Sequence, residues 1–183
     1  MTIYSVGYGG RTLDELVELL KRFGITHLVD VRTSPFSKFA TDFNRDVLQE
    51  RSPTFGVKYV FMGAELGGRP DCRDCYDEEG RVLYEVVKSQ EFFRRGIRQL
   101  LKGASAEGRR LCMLCSERKP EECHRSKLIG EALTVENVEV AHISEEGQLL
   151  DQAQVMSRVL GLQADLFDEA HRTSRKTYGG RKQ

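Results

Sequence analysis

Two short stretches decide the fold: Ile3-Tyr4-Ser5-Val6, running into Gly7-Tyr8-Gly9-Gly10, and His27-Leu28-Val29-Asp30-Val31-Arg32, which stops at Ser34-Pro35. Both read as apolar strands. Between them Thr12 and Glu15 are spaced as a capping box, and Leu13, Leu16, Val17 and Leu20 recur at helical spacing until Gly24. Strand, helix and strand within about thirty residues is the pattern of a right-handed crossover joining parallel strands.

Working outward, the alternation continues. Val57 to Phe61 reads as a third strand, Leu111 to Cys115 as a fourth and Val138 to Ile143 as a fifth. Helical spacing appears at Asn44 to Arg51, at Phe93, Ile97, Leu100 and Leu101, after Pro120 through Leu128, Ile129, Ala132 and Leu133, and at Leu150, Val155, Val159 and Leu160. The expectation is an α/β fold: a mostly parallel five-stranded sheet with helices on both faces, in a single domain. That domain is expected over residues 1–162, with a disordered tail over 163–183.

At 183 residues the chain suits one core of ordinary size. Its 28 basic and 28 acidic side chains cancel, so any affinity for nucleic acid must come from a local patch. No segment approaches the roughly 18 apolar residues of a membrane helix, and the start lacks a basic stretch before an apolar run, so the expectation is a cytoplasmic protein without membrane contact. Five cysteines, an odd number without an export signal, point to reduced thiols, ligands or catalysis rather than a disulfide scaffold. The glycines at 7, 9 and 10 do not make a dinucleotide fingerprint, because its third glycine would fall on Thr12, and no cofactor is named by the sequence.

Chemistry concentrates between Leu114 and Arg125, where two thiols, an imidazole, carboxylates and cations lie between an apolar strand and an amphipathic helix. Ligands on parallel sheets bind beyond the carboxyl ends of strands. On that edge fall Tyr8, Asp30, Arg32, Cys115, Glu117 and His142. As an enzyme, the chain would use Cys115 as nucleophile or transition-state ligand, its pKa lowered by the helix start and by Arg125, with Glu117 or Asp30 as acid or base. Tyr8, Arg32, His124 and Arg69 would bind substrate. The site is not the phosphatase loop, since Cys-x5-Arg would need arginine at Glu121. As a structural arrangement instead, Cys115 would be a packing residue and Arg125 a partner of Asp30 or Glu117.

These motifs resemble those of the family called domain of unknown function 488. The resemblance rests on Ser5-Val6-Gly7-Tyr8, Asp30-Val31-Arg32 with Pro35, Leu66-Gly67-Gly68-Arg69-Pro70, Leu114-Cys115-Ser116-Glu117, Cys123-His124-Arg125 and His142-Ile143. It implies a compact α/β fold and a site at these residues, and no reaction. Many relatives carry histidine where this chain has Tyr8, and the Cys72/Cys75 pair looks like an addition to their pattern.

Metal is the competing chemistry. The pairs Cys72/Cys75 and Cys112/Cys115 have zinc-ligand spacing, but residues three apart in a strand point to opposite faces; a mixed site of Cys115, Cys123 and His124 is the other arrangement. No metal ligand is assigned from the sequence. The resulting expectation is an enzyme acting on a nucleotide, a nucleic-acid base or a related phosphorylated compound, with a metal-binding or redox-sensing module as the alternative. Gln163-Ala164-Asp165-Leu166-Phe167 resembles the peptide by which polymerases and repair proteins bind the sliding clamp, so Gln163, Leu166 and Phe167 are expected to contact such a partner. The basic stretch from Arg172 to Gln183 could add contacts to phosphate backbone.

Overall fold

The first crossover forms as its residues dictate. In the structure, a computed structural model that describes residues 1–161 and 172–178, strand β1 (Thr2–Gly7) leads into helix α1 (Leu13–Arg22) and strand β2 (His27–Asp30). The capping box is complete: Thr12 Oγ1 accepts from the Glu15 amide and the Glu15 carboxylate accepts from the Thr12 amide. That satisfies two donors the first helical turn leaves open.

The chain continues through α2 (Arg45–Arg51), β3 (Lys58–Phe61), α3 (Gly63–Leu66), α4 (Tyr84–Ser89), α5 (Glu91–Ala104), β4 (Leu111–Cys115), α6 (Glu131–Val135), β5 (Glu139–Ile143), β6 (Leu149–Asp151) and α7 (Gln152–Gly161). The strands make one sheet in the order β3-β2-β4-β1-β5-β6, parallel except for β6. Among the described residues the sheet therefore has six strands, not five. The sixth is three residues long and follows β5 through a turn in which Ser144 N–H donates to the Gln148 carbonyl. So short an edge strand carries no alternating pattern, and Leu150, expected in a helix, belongs to it.

Alternation along the strands assigns the two faces. Val6, Leu28, Cys112 and Leu114 pack under α1 with Leu13, Leu16, Leu20 and α2's Leu48. Ile3, Val29, Val31, Leu111, Met113 and Cys115 pack on the opposite face with Phe93, Ile97 and Leu100 of α5 and with Leu128, Ile129 and Leu133. Cys112 and Cys115 thus lie on opposite faces, which removes the four-cysteine zinc site. Burial pushes the Cys112 thiol up, as befits a packing residue.

Past β4 the structure departs from a single helix starting at Pro120. Pro120–Glu122 form a 3-10 turn, and Cys123 returns to extended backbone (φ −119°, ψ 148°). A π-helical stretch, Arg125–Gly130, then precedes α6. Proline starts the turn as expected, but the extended step at Cys123 aims that side chain back toward the end of β4.

The described part of the carboxyl-terminal region, 172–178, returns to the body. Thr173 bridges to Leu83, Ser174 N–H donates to the Val82 carbonyl, and the Val82 amide donates to Ser174 Oγ. Tyr178 N–H donates to the Gly80 carbonyl. Among the described residues, no helix is long and apolar enough to cross a membrane.

Candidate metal centre

Four side chains from the β4 end and the Cys123 step converge: Cys115, Glu117, Cys123 and His124, each offering a donor atom, all within 4.8 Å of one another. Glu117 Oε2 accepts from the thiols of Cys115 at 3.0 Å and Cys123 at 3.5 Å. His124 Nδ1 lies 3.7 Å from each sulfur. Zinc bound tetrahedrally by sulfur, nitrogen and oxygen would require donor separations of about 3.3–3.8 Å; the sulfur–carboxylate and sulfur–imidazole separations, 3.0–3.7 Å, are close to that range, and all four donors are within 4.8 Å.

The surroundings orient these donors. His124 Nε2 lies 3.1 Å from the Val31 carbonyl. With that nitrogen donating its proton, Nδ1 is left with its lone pair toward the sulfurs, the arrangement in which histidine ligates metal. The main-chain N–H of Arg125 donates to Cys123 Sγ at 3.4 Å. Gly68 packs against the imidazole so closely that a Cβ there would sit 2.8 Å from its Cγ and Nδ1.

Electrostatics separate the members. The hydrogen bond with Cys123 and burial push the Cys115 thiol well up. This reverses the expected lowering by Arg125, whose guanidinium is turned away to the main-chain oxygens of Glu117 and Arg118. Burial opposes the Glu117 charge, yet the Cys115 hydrogen bond and the nearby His124 bring its carboxyl down to about 2. For His124, burial opposes the charged ring, and the Cys115 sulfur, the Glu117 carboxylate and the Val31 carbonyl outweigh it, moving it upward. A buried protonated thiol is a poor nucleophile, whereas a divalent metal removes such protons outright.

The other described residues singled out from the sequence supply no donor to this cluster. Asp30 and Arg32 form a buried bidentate pair, Nε to Oδ1 at 2.8 Å and Nη2 to Oδ2 at 2.6 Å, capped by the Tyr59 hydroxyl at 2.6 Å. Tyr8 stacks on Phe43 at 4.2 Å, with the Arg32 guanidinium over its ring. This group belongs to the α1 face, so the sheet divides the expected single rim in two. His142 is buried between Ser5 Oγ and Gln152 Oε1. Arg69 is exposed, its guanidinium 5.1 Å from the Tyr178 ring. Cys72 and Cys75, at the two ends of a 3-10 turn, are not among the convergent donors, and burial, then Cys72, pushes the Cys75 thiol up to about 12. Gln163, Leu166 and Phe167 lie outside the described residues.

Beside the donors opens a cleft of about 30 Å³, lined by Tyr84, Glu117, Glu122, His124, Lys176 and Tyr178 among others. It holds a few atoms rather than a nucleoside, and Tyr8, Asp30 and Arg32 do not floor it. Lys176 Nζ stands 3.5 Å from Glu117 Oε1, and Arg175 pairs with Glu122 at 3.1 Å. Tyr84, Lys176 and Tyr178 were missed as site residues; no sequence proximity ties them to Cys115, and only the return of 172–178 brings two of them in.

The family model described as Domain of unknown function DUF488 matches residues 12–132, well over half of the chain, including all four donors. No curated protein and no solved structure matches the chain.

Proposed function

We propose, from the premise that the chain belongs to the DUF488 family, whose description names no activity, that it binds one zinc-class metal ion through Cys115, Cys123, His124 and Glu117. One observation carries this: four donor atoms of the right types lie within 4.8 Å of one another. Two thiolates and an imidazole favour zinc over magnesium or calcium, which prefer oxygen ligands. Glu117 is the most exposed of the four, so it is the ligand a water or substrate would replace if the centre is catalytic rather than structural.

The test is metal analysis of protein stripped with chelator, reloaded with zinc and dialysed. Wild type should retain about one equivalent, and Cys115→Ser/Cys123→Ser far less. Retention below about a tenth of an equivalent by wild type, or equal retention by the double variant, would remove the proposal.

A further inference from the structure

The cleft beside the four donors has an excess of hydrogen-bond donors. Tyr84 is 3% exposed, yet among the described residues its hydroxyl has no hydrogen-bond partner, and it lines the cleft. Its ring is buried while its oxygen is not sealed from the cleft, so the cleft is where a partner for that hydroxyl would lie. The Tyr178 hydroxyl, on a ring fixed by Arg69 and by the main-chain bond to Gly80, is likewise unpartnered among the described residues. Lys176 completes the set with an ammonium.

The remaining lining groups are already engaged. Ser174 Oγ donates to the Lys176 carbonyl at 2.7 Å and accepts from Val82. Arg175 and Glu122 neutralise each other, and Glu117 Oε1 faces Lys176. What is left open is two hydroxyls, together with the hydrogen-bonding capacity that Lys176 keeps beyond its 3.5 Å pair with Glu117; the four convergent donors form the adjoining wall. Such a wall suits a group that accepts several hydrogen bonds and carries negative charge.

Resting on the metal reading above, we propose that this cleft binds a small oxyanion, the carboxylate or phosphate group of a substrate, between the metal and the Tyr84, Tyr178 and Lys176 donors. Two thiolates balance a divalent ion and Lys176 balances Glu117, so an anion entering here meets no uncompensated negative charge. The cleft's small volume restricts what enters to the anionic group itself, with the rest of its molecule outside. The strap 172–178 then acts as part of the site, because it supplies Lys176 and Tyr178.

Cobalt-substituted protein tests this directly, since thiolate-to-cobalt absorption reports the metal site and the ligand-field bands report a change in its ligands. Acetate and inorganic phosphate are titrated separately, which distinguishes a carboxylate from a phosphoryl preference. At least one should change the ligand-field bands saturably, and Tyr84→Phe, which keeps the ring in the core, should weaken that binding about tenfold, with Lys176→Ala weakening it similarly. Unresponsive bands at anion concentrations on the order of 100 mM, in protein with intact thiolate absorption, would overturn the anion site alone, as would undiminished binding by Tyr84→Phe and Lys176→Ala. Absence of the thiolate absorption itself would overturn the metal site and the anion site together.

Discussion

Arg125 and Glu117 are joined through the main chain: the fully buried guanidinium donates to the Glu117 carbonyl oxygen, and its second terminal nitrogen donates to the Arg118 carbonyl at 2.9 Å. An arginine without exposed surface is thereby turned on two carbonyls instead of a carboxylate. The loop that carries Glu117 has no regular structure to hold it, so this clamp fixes the carboxylate's direction. Gly7 permits the close approach, because a Cβ there would fall 1.8 Å from the same carbonyl oxygen.

Removing that clamp should cost stability and metal together. Arg125→Ala strips the donors from two carbonyls and leaves a cavity where a fully buried side chain stood, a loss of about 3–5 kcal/mol. Arg125→Lys keeps the charge but can reach only one carbonyl well, and should lose about half as much. Urea denaturation of both variants checks the order, and chelator competition should show weaker zinc binding by Arg125→Lys while it remains folded. A lysine variant as stable and as metal-avid as wild type would show that the clamp is incidental.

The Asp30 and Arg32 pair should behave as a structural unit. Asp30→Asn leaves the Arg32 guanidinium, 5% exposed, without its anion, which typically costs about 3–5 kcal/mol. Adding Arg32→Met to Asp30→Asn should restore part of that loss, since the stranded charge is then gone. Zinc stoichiometry should be unchanged in the double variant, because the sheet stands between this pair and the four donors. Loss of zinc binding there would place Asp30 back in the site.

What could be read in advance was local. The Thr12 and Glu15 cap, the crossover from β1 to β2, and the position of Cys115 at a strand end each depend on residues within a few positions of one another. The faces of the sheet were also legible in part: parity alone separates Cys112 from Cys115. The split between Asp30 and Cys115 was not, because it needs the register of β2 against β4, where Asp30 stands opposite Leu114. Tyr84 and Lys176 were invisible for a similar reason, as about ninety residues separate them and a bridge between Leu83 and Thr173 joins their segments. The helix expected from Pro120 was misread because an amphipathic pattern does not report a single extended residue such as Cys123.

His142 sets a pH dependence. Burial lowers its pKa to about 4, against the opposing hydrogen bond to Gln152. The unfolded value is near 6.5, so the unfolded chain takes up this proton first as pH falls. Stability from keeping the ring neutral is complete above about pH 6.5 and drains away between there and about pH 4, by on the order of 3 kcal/mol in total. Urea midpoints measured through that window should fall less steeply for His142→Gln than for wild type, and parallel slopes would assign the acid sensitivity elsewhere.

Gly68 offers a test of the metal site that leaves the ligands themselves in place. A methyl group there would meet the His124 ring at Cγ and Nδ1, both at 2.8 Å, and its Cβ at 3.2 Å. The ring cannot slide away freely, because Nε2 is held at the Val31 carbonyl. Gly68→Ala should therefore tilt Nδ1 away from the two sulfurs. Since Gly68 lies in a loop outside the sheet, the core loses little. Displaced ligand orientation commonly lowers metal affinity by about 10–100-fold, and chelator competition should find a drop in that range with thermal unfolding of the metal-free protein only slightly changed. An unaltered affinity would mean that His124 is not a ligand, and the site would reduce to the two cysteines and Glu117.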